Sequence, residues 1–541
     1  MTLSTKMPIK LDSLNNETFK ALREKTLNLR KDKVYVHLSG ENLNISTIEK
    51  TCPLTFLMLK HKYKIDTQNI QIKVVNGKKS RDDTEYVITD TSPNECIHKG
   101  HGKAFNDGVG NNTEGKNNSN EKIITNARNA EIGHRGEGGT NFMDSFIQFN
   151  IPVLNEFERF YFYKHIIEII DTLAADVVYK HSMGGYKKND KYNFVTVLFN
   201  NLKIYEKNKI HHEFCFSLHE QKPLTINCYI VYSGNTSYIL KLDFFQENNL
   251  VFDIYTTFVN INSVTFKPQE VIHVNNSHNN ERYKEVSIFA SHLKEVQNLF
   301  NHKDMKNMLL RQEDINFMLE YFKNSKVEKK NFQKNVYQNV DIFDYDHVQA
   351  KLTNSEKGQV VEASQQSSAV LSTPLASQKN TIPIIGHILN TNNLAFYTGK
   401  NIFYCKDSYI ESKNFISSEF KNIHNFTFGG HLAYMSFCHA MTIIKHFVSH
   451  PVLIEINEIQ YILPVPYNSV VSFRGKVVYC DADKIQVKIA AYCFDLKKNT
   501  HYLTTIFDIS FKNNSEISFI PLSEEEIKLY LLGYIRSQLL P

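Results

Sequence analysis

Two long apolar segments, residues 157–178 and 432–447, each precede a series of shorter segments with a different pattern. Each long segment is apolar around most of a helical circumference, which predicts two largely buried helices. The shorter segments are rich in β-branched and aromatic residues and are separated by turn residues, which predicts strands. The predicted strands cover residues 192–199, 213–218, 225–232, 237–245, 252–260, 453–463, 470–480, 484–494 and 502–511. One helix followed by antiparallel strands predicts an α+β fold, with a curved antiparallel sheet wrapped around each long central helix.

An internal repeat indicates that the chain carries two copies of one unit. Three matching pairs occur in the same order and at similar spacing: Asp144-Ser145 with Asp407-Ser408, Tyr232 with Tyr479, and Thr257 with Thr505. Each pair lies in a similar local sequence. Because chance rarely keeps three pairs in order and in register, the repeat predicts two tandem domains.

The repeat and the composition of the remaining segments divide the chain into five regions. We predict an N-terminal extension with a Gly/Asn-rich loop (1–140), a first domain (141–266), a helical and Ser/Gln-rich linker (267–399), a second domain (400–515) and a C-terminal helix (516–541). Short helical patterns at residues 14–29, 285–300 and 315–322 lie in the extension and the linker.

Composition narrows the class of protein. A net charge of +5 spread over 541 residues does not favour nucleic acid. The sequence lacks the run of about 18 apolar residues that a membrane span requires, and its N-terminus lacks the apolar core of a signal peptide. Its eight cysteines form no CxxC pair, which predicts thiols in a reducing compartment, mitochondrial or cytoplasmic rather than secreted.

The candidate chemistry lies at the entrance of the second long helix, in Asn425-Phe-Thr-Phe428-Gly429-Gly430. Glycines at a helix entrance let a ligand approach the backbone closely. The first N–H groups of a helix have no intrahelical acceptor and attract negative charge. The asparagine amide three residues upstream can hold a water or a carbonyl. The motif is therefore suited to stabilising an oxyanion.

This motif resembles the signature of the hotdog-fold acyl-CoA thioesterases, and the two copies resemble the tandem, double-hotdog branch of that family, above all its mitochondrial type. The resemblance covers roughly residues 141–266 and 400–515. It implies hydrolysis of fatty acyl-CoA to free fatty acid and CoA without a cofactor or metal, since coenzyme A is part of the substrate. It also implies a homo-oligomer, a trimer of double hotdogs.

Asp171 is the predicted general base. It stands inside an apolar run of the first long helix, where burial should raise the pKa of its carboxyl toward neutrality. A structural acid that pairs within the helix would have the same surroundings. The resemblance favours catalysis, because Asp171 occupies the position of the family's acid.

The resemblance implies roles for further residues. Asn425 would orient the water or bind the carbonyl, and the Gly430 N–H would stabilise the oxyanion. The residues predicted to contact the substrate are Gly429, Gly430, Thr172 and Lys484, the last together with Lys476 and Lys488 as candidates for the CoA phosphates. The first copy lacks a Gly-Gly entrance and the second has Phe437 and Cys438 where relatives carry an acid. The sequence therefore predicts one composite site between the two domains.

Other interpretations stay open at this stage. His424 and His431 flank the motif, and a histidine paired with an acid would favour a hotdog enoyl-CoA hydratase or dehydratase. The divergence of both copies also fits a non-catalytic acyl-CoA-binding protein. A nucleophilic Cys438 beside His439 is disfavoured, because neighbours on a helix do not face each other.

Overall fold

The computed structural model describes residues 17–30, 35–36, 43–62, 67–68, 70–75, 140–151, 156–184, 192–205, 223–263, 265–275, 281–299, 342–343, 401–422, 425–495 and 499–540. Its α-helices are α1 (Glu17–Arg30), α2 (Ile48–Thr51), α3 (Pro53–Leu57), α4 (Glu156–Met183), α5 (Glu281–Leu299), α6 (Gly429–Lys445) and α7 (Glu524–Leu539). Its strands are β1 (Leu43–Ser46), β2 (Gln71–Val75), β3 (Thr140–Asn141), β4 (Ile147–Ile151), β5 (Phe194–Ile204), β6 (Leu224–Ser233), β7 (Ser237–Gln246), β8 (Asn249–Asn260), β9 (Val274–Asn275), β10 (Asn401–Tyr404), β11 (Ile410–Ile416), β12 (Leu453–Tyr461), β13 (Ser469–Cys480), β14 (Lys484–Asp495), β15 (Thr500–Lys512) and β16 (Ile517–Ile520). None of the helices in this part of the chain has an apolar stretch long enough to cross a membrane.

One large antiparallel sheet joins both halves of the described chain. It has 12 strands in the order β1-β2-β4-β6-β7-β8-β5-β12-β15-β14-β13-β11. The two halves of the sheet meet where β5 pairs with β12, with Phe199 opposite Ile459. Two short parallel pairs, β3 with β9 and β10 with β16, lie outside this sheet. The fold is thus α+β, as the sequence predicts.

The order of elements in the first half recurs in the second half. The series β3, β4, α4, β5 to β9 and α5 corresponds to β10, β11, α6, β12 to β16 and α7. The repeated serines have the same contacts in both halves. Ser145 donates to the Phe142 carbonyl and accepts from the N–H of Ile230; Ser408 does so with Cys405 and Val477. The Asp-Ser repeat therefore marks a turn that joins each half's first strands to its sheet.

Helices cover both faces of the sheet. On β13 the neighbouring residues Gly475 and Lys476 face opposite sides: Gly475 lies against Ile443 of α6, and Lys476 pairs with Glu525 of α7. Likewise α4 and α5 both pack against β6. We call the side that faces α4 and α6 the inner face and the side that faces α5 and α7 the outer face. On the outer face, α1 contacts both α5 and α7.

The predicted helices and strands of the two halves are confirmed within a few residues, apart from 213–218, which lies outside the described residues, as does the helix predicted at 315–322. Several short strands were not predicted, among them β3, β9 and β10. Strands β1 and β2 of the N-terminal region extend the sheet beyond β4. The C-terminal region begins with a strand, β16, before its helix. These strands are short, so they carry little of the alternating pattern on which strand prediction depends.

The N-terminal region is anchored to α4 by a buried carboxylate. Asp176 accepts hydrogen bonds from the N–H groups of Leu54 and Thr55 (3.0 and 2.9 Å) and from the Thr55 hydroxyl (2.7 Å). These N–H groups lie at the start of α3, where a helix has no acceptors of its own. Asp176 thereby holds α3 against the central helix of the first half.

Candidate active site

The carboxylate of Asp171 meets the N-terminus of α6. Asp171 lies in the middle of α4 and is buried. Its Oδ2 accepts a hydrogen bond from the backbone N–H of Gly430, the second residue of α6 (3.3 Å). The residue before the helix, Phe428, provides no side-chain cap. An acid of one helix therefore caps another, at the end where the helix dipole is positive.

Gly430 is required by the approach of the two helices. A Cβ at this position would lie 2.9 Å from Cα of Glu168 in α4, closer than carbon atoms pack. At Gly429 a Cβ would lie 3.3 Å from Oδ2 of Asp171. The sequence predicts that the glycines leave room for a ligand. In the structure, Gly430 leaves room for the backbone of α4.

Thr196 holds the other carboxylate oxygen. Its hydroxyl donates to Oδ1 of Asp171 (2.5 Å). Thr196 lies in β5 where the pairing with β8 shifts by one residue, a β-bulge between Thr196 and Leu198. Bulges redirect side chains and are frequent beside functional sites. Sequence reasoning missed Thr196, because a threonine in a strand carries no signal of its own.

The surroundings of Asp171 raise its pKa. Burial disfavours the charged carboxylate and raises the pKa from 3.8 to about 6, while the hydrogen bonds from Thr196 and Gly430 act in the opposite direction. The group is thus ionised at neutral pH yet basic enough to accept a proton, the property required of a general base. This agrees with the direction expected from the apolar run in the sequence.

Tyr461, the last residue of β12, completes the surroundings of the carboxylate. Its hydroxyl donates to the carbonyl of Gly429 (2.9 Å), and its ring lies edge-on to Phe199 of β5, with centroids 5.7 Å apart. Burial and the nearby Asp171 both raise the pKa of this phenol, so Tyr461 is a neutral donor. The site therefore takes residues from both halves of the sheet as well as from both central helices.

Asn425 stands in the loop that leads to α6. Its side chain is exposed and its φ is +66°, a left-handed conformation that asparagine tolerates better than most residues. The tight loop is closed by Asn422, which accepts hydrogen bonds from the N–H of Asn425 (3.1 Å) and, through its side chain, from that of Phe426 (3.0 Å). The amide of Asn425 is accordingly on the solvent side of the helix entrance.

Thr172 and the predicted lysines lie elsewhere. Thr172 donates to the Glu168 carbonyl (3.1 Å) and accepts from Thr55 of α3 (3.2 Å), so it belongs to the contact with the N-terminal region. Lys484 pairs with Glu455 (3.3 Å) at the start of β14. In the sheet, Tyr461 pairs with Thr505 of β15, and Thr505 pairs with Ala491 of β14. Ala491 is seven residues beyond Lys484, so Lys484 lies roughly 20 Å from the level of Tyr461 at the usual strand rise.

The other two lysines contact the outer face. Lys476 pairs with Glu525 and Glu526 of α7 (2.9 and 3.4 Å), and Lys488 pairs with the buried Asp508 (3.0 Å). Lys476 thereby joins β13 to α7, and Asp508 also pairs with Arg536 of α7 (3.4 Å). The structure brings none of the three lysines to Asp171.

The alternative nucleophile and acid–base candidates have other contacts. A hydratase would pair a histidine with the acid. The ring of His431 is instead stacked on Phe420, with centroids 3.6 Å apart, and Asp171 accepts hydrogen bonds from Thr196 and Gly430. Cys438 is on the exposed side of α6, and the buried His439 contacts Ser412 (3.1 Å). His424 lies outside the described residues.

Fold and site define the class of this chain: an α+β protein in which a buried acid of one central helix caps the N-terminus of another. Comparisons with known proteins find chains of similar sequence. The chain is 26% identical over 132 residues to acyl-coenzyme A thioesterase 10, mitochondrial, of Mus musculus, which corresponds to 24% of this chain and 30% of that protein. It is 24% identical over 166 residues to acyl-coenzyme A thioesterase 9, mitochondrial, of Bos taurus, 30% of this chain and 38% of that protein.

Among solved structures, an acyl-CoA hydrolase from Staphylococcus aureus in complex with butyryl coenzyme A aligns with a TM-score of 0.23 and 18% identity, over 25% of this chain and 88% of that chain. No protein-family model matches the chain. The chain spans about a third of the length of the curated relatives that it matches (30% and 38%). The resemblance to mitochondrial-type acyl-CoA thioesterases that the motifs indicate is confirmed.

Proposed function

We propose that the chain is an acyl-CoA thioesterase that hydrolyses fatty acyl-CoA to free fatty acid and CoA. In this proposal residues 141–266 and 400–515 form two tandem hotdog domains, and one composite site lies between them. The relatives named as acyl-CoA thioesterases support the reaction class. The observation that carries the proposal is the 3.3 Å contact between the Asp171 carboxylate and the Gly430 N–H, which unites a base and an oxyanion donor.

The chemistry follows from these two groups. A thioester carbonyl bound at the start of α6 would accept a hydrogen bond from the Gly430 N–H. This hydrogen bond stabilises the negative charge that develops on the carbonyl oxygen. Asp171, held by Thr196, takes a proton from a water whose oxygen attacks the carbonyl carbon. The tetrahedral intermediate then collapses: the carbon–sulfur bond breaks and the thiolate of CoA receives the proton from Asp171. Asn425, at the loop, would orient the water or the carbonyl.

Release of free thiol from acyl-CoA tests the proposal, measured over a panel of acyl chain lengths with the purified full chain. Thiol release that is lost in Asp171→Asn supports it. Hydration of an enoyl-CoA without thiol release would instead support the hydratase. Binding of acyl-CoA without turnover would support an acyl-CoA-binding protein.

The pKa of Asp171 gives a prediction for the pH dependence of activity. The base must be ionised, so kcat/KM should be constant above about pH 7 and fall by about tenfold per pH unit below the pKa of about 6. A pH profile of thiol release measures this limb. Activity that stays constant down to about pH 5 would show that another group is the base.

We also propose that each chain has one working site. On α6, the residues at the position of the acid are Phe437, which is buried, and Cys438, which is exposed; neither can act as a carboxylate base. The facing stretch, residues 159–164, has no glycine in its sequence, and its side chains lie outside those that the structure describes. Titration calorimetry with a non-hydrolysable acyl-CoA analogue should therefore saturate at one ligand per chain. Two equal sites, or activity that depends on Cys438, would contradict this.

We propose a homo-oligomer, a trimer of double hotdogs, in the mitochondrion or the cytoplasm; the named mitochondrial relatives support the compartment. Because α1, α5 and α7 cover parts of the outer face, subunit contacts would have to include these helices or use other surfaces. Light scattering at micromolar concentration measures the mass directly.

A further inference from the structure

The peptide unit that joins Gly429 to Gly430 is held at both of its ends. Its carbonyl oxygen accepts from the Tyr461 hydroxyl (2.9 Å), and its N–H donates to Asp171 (3.3 Å). Two consecutive glycines leave the dihedral angles on either side of this unit less restricted than any other residues would. Because the peptide itself is planar, contacts at its two ends fix its orientation.

Tyr461 is itself held in place. It ends β12, where it is paired with Thr505 of β15, and its ring packs against Phe199 from the other half of the sheet. The hydroxyl is therefore carried by the sheet, not by the helix that begins with the two glycines. The Gly429 carbonyl, which accepts the hydrogen bond of this hydroxyl, lies in the first turn of α6, where the carbonyls point along the helix axis.

We propose that Tyr461 is a positioning residue that aims the Gly430 N–H at the carbonyl oxygen of a bound thioester. The inference rests on the proposed function. In the structure this N–H donates to Asp171, so a substrate carbonyl must take over the hydrogen bond or share it. Tyr461 keeps the peptide plane in place during that exchange. Its hydrogen bond to the carbonyl also polarises the peptide and makes the N–H a stronger donor.

The test is Tyr461→Phe, which keeps the ring against Phe199 and removes only the hydroxyl. We expect kcat to fall roughly three- to tenfold, the effect of losing one hydrogen bond of ordinary strength, with KM little changed. The acid limb of kcat/KM should move to higher pH, because a weaker N–H donor stabilises the Asp171 carboxylate less. A tyrosine with only a packing role would leave that limb in place.

Tyr502→Phe is the matched control. The Tyr502 hydroxyl also donates to a backbone carbonyl in the second half, that of Pro464 (3.2 Å), in a solvent-exposed contact. This variant should keep both kcat and the acid limb of the wild-type protein. Equal losses in the two variants would overturn the proposal, since the effect would then follow from the removal of any such hydroxyl.

A second measurement separates this proposal from the proposed function. The carboxyl band that disappears from the infrared spectrum in Asp171→Asn can be titrated with pH in the absence of substrate. If the wild-type chain hydrolyses no acyl-CoA, the proposed function fails, but a higher midpoint in Tyr461→Phe than in the wild type still supports the coupling of Tyr461 to Asp171. The same midpoint in both proteins overturns the positioning role, whatever the activity.

Discussion

Asp171→Asn should lower kcat for acyl-CoA hydrolysis by about two to four orders of magnitude. The amide has nearly the shape of the carboxylate and can still contact Thr196 and the Gly430 N–H, but it cannot take a proton from water. Thiol release under saturating substrate measures the loss. Near-normal activity in this variant would show that Asp171 is a structural acid and that the base lies elsewhere.

The Asn variant should remain folded, which makes the loss of activity interpretable. The pKa of Asp171 is higher in the folded protein (about 6) than its ordinary value of 3.8, so the folded state binds the proton more tightly. The stability that protonation contributes is fully present below pH 3.8 and is lost as the pH rises through about 6. Removal of the charge should therefore leave the free energy of unfolding at pH 8 unchanged or higher, as measured by denaturant titration.

Asn425→Ala should also lower kcat by about two to four orders of magnitude, if its amide orients the water or the carbonyl as proposed. Asn468→Ala is the matched control. Asn468 is likewise an exposed asparagine in the left-handed region, with φ of +58° against +66° for Asn425. Both substitutions force alanine into this conformation, so they share the backbone cost. If both variants lose the same amount of activity, the effect comes from the strained backbone. The Asn425 side chain would then have no role in the reaction.

Much of the fold was predictable because its central elements are long and regular. The two buried helices and the strands around them each contain enough residues to show a period, and their ends were placed within a few residues. The entrance at Gly429 and Gly430 was also visible, since adjacent glycines before an apolar helix are rare enough to be noticed. Asp171 was found because it lies in an apolar run at the position of the family's acid; the run alone also contains Glu168.

The partners of Asp171 could not be predicted, because they are determined by tertiary contacts. Thr196 reaches the carboxylate through a bulge in β5, and Tyr461 reaches Gly429 from the end of β12. Neither residue type is unusual in a strand. Lys484 was predicted to contact the CoA phosphates from its charge and its place near the second sheet. Its pairing with Glu455 depends on strand register, which the sequence did not reveal.

The pairing of β5 with β12 affects how the protein folds during its synthesis. The two strands that pair there, like Asp171 and Gly430, are separated by almost half of the chain's 541 residues. Contacts of such large sequence separation form slowly, because a long loop must close before they stabilise anything. During synthesis the first half exposes β5 as an open strand edge, a template for wrong pairing, until the second half emerges. The nascent chain thus passes through a stage with an unpaired strand edge and no assembled site.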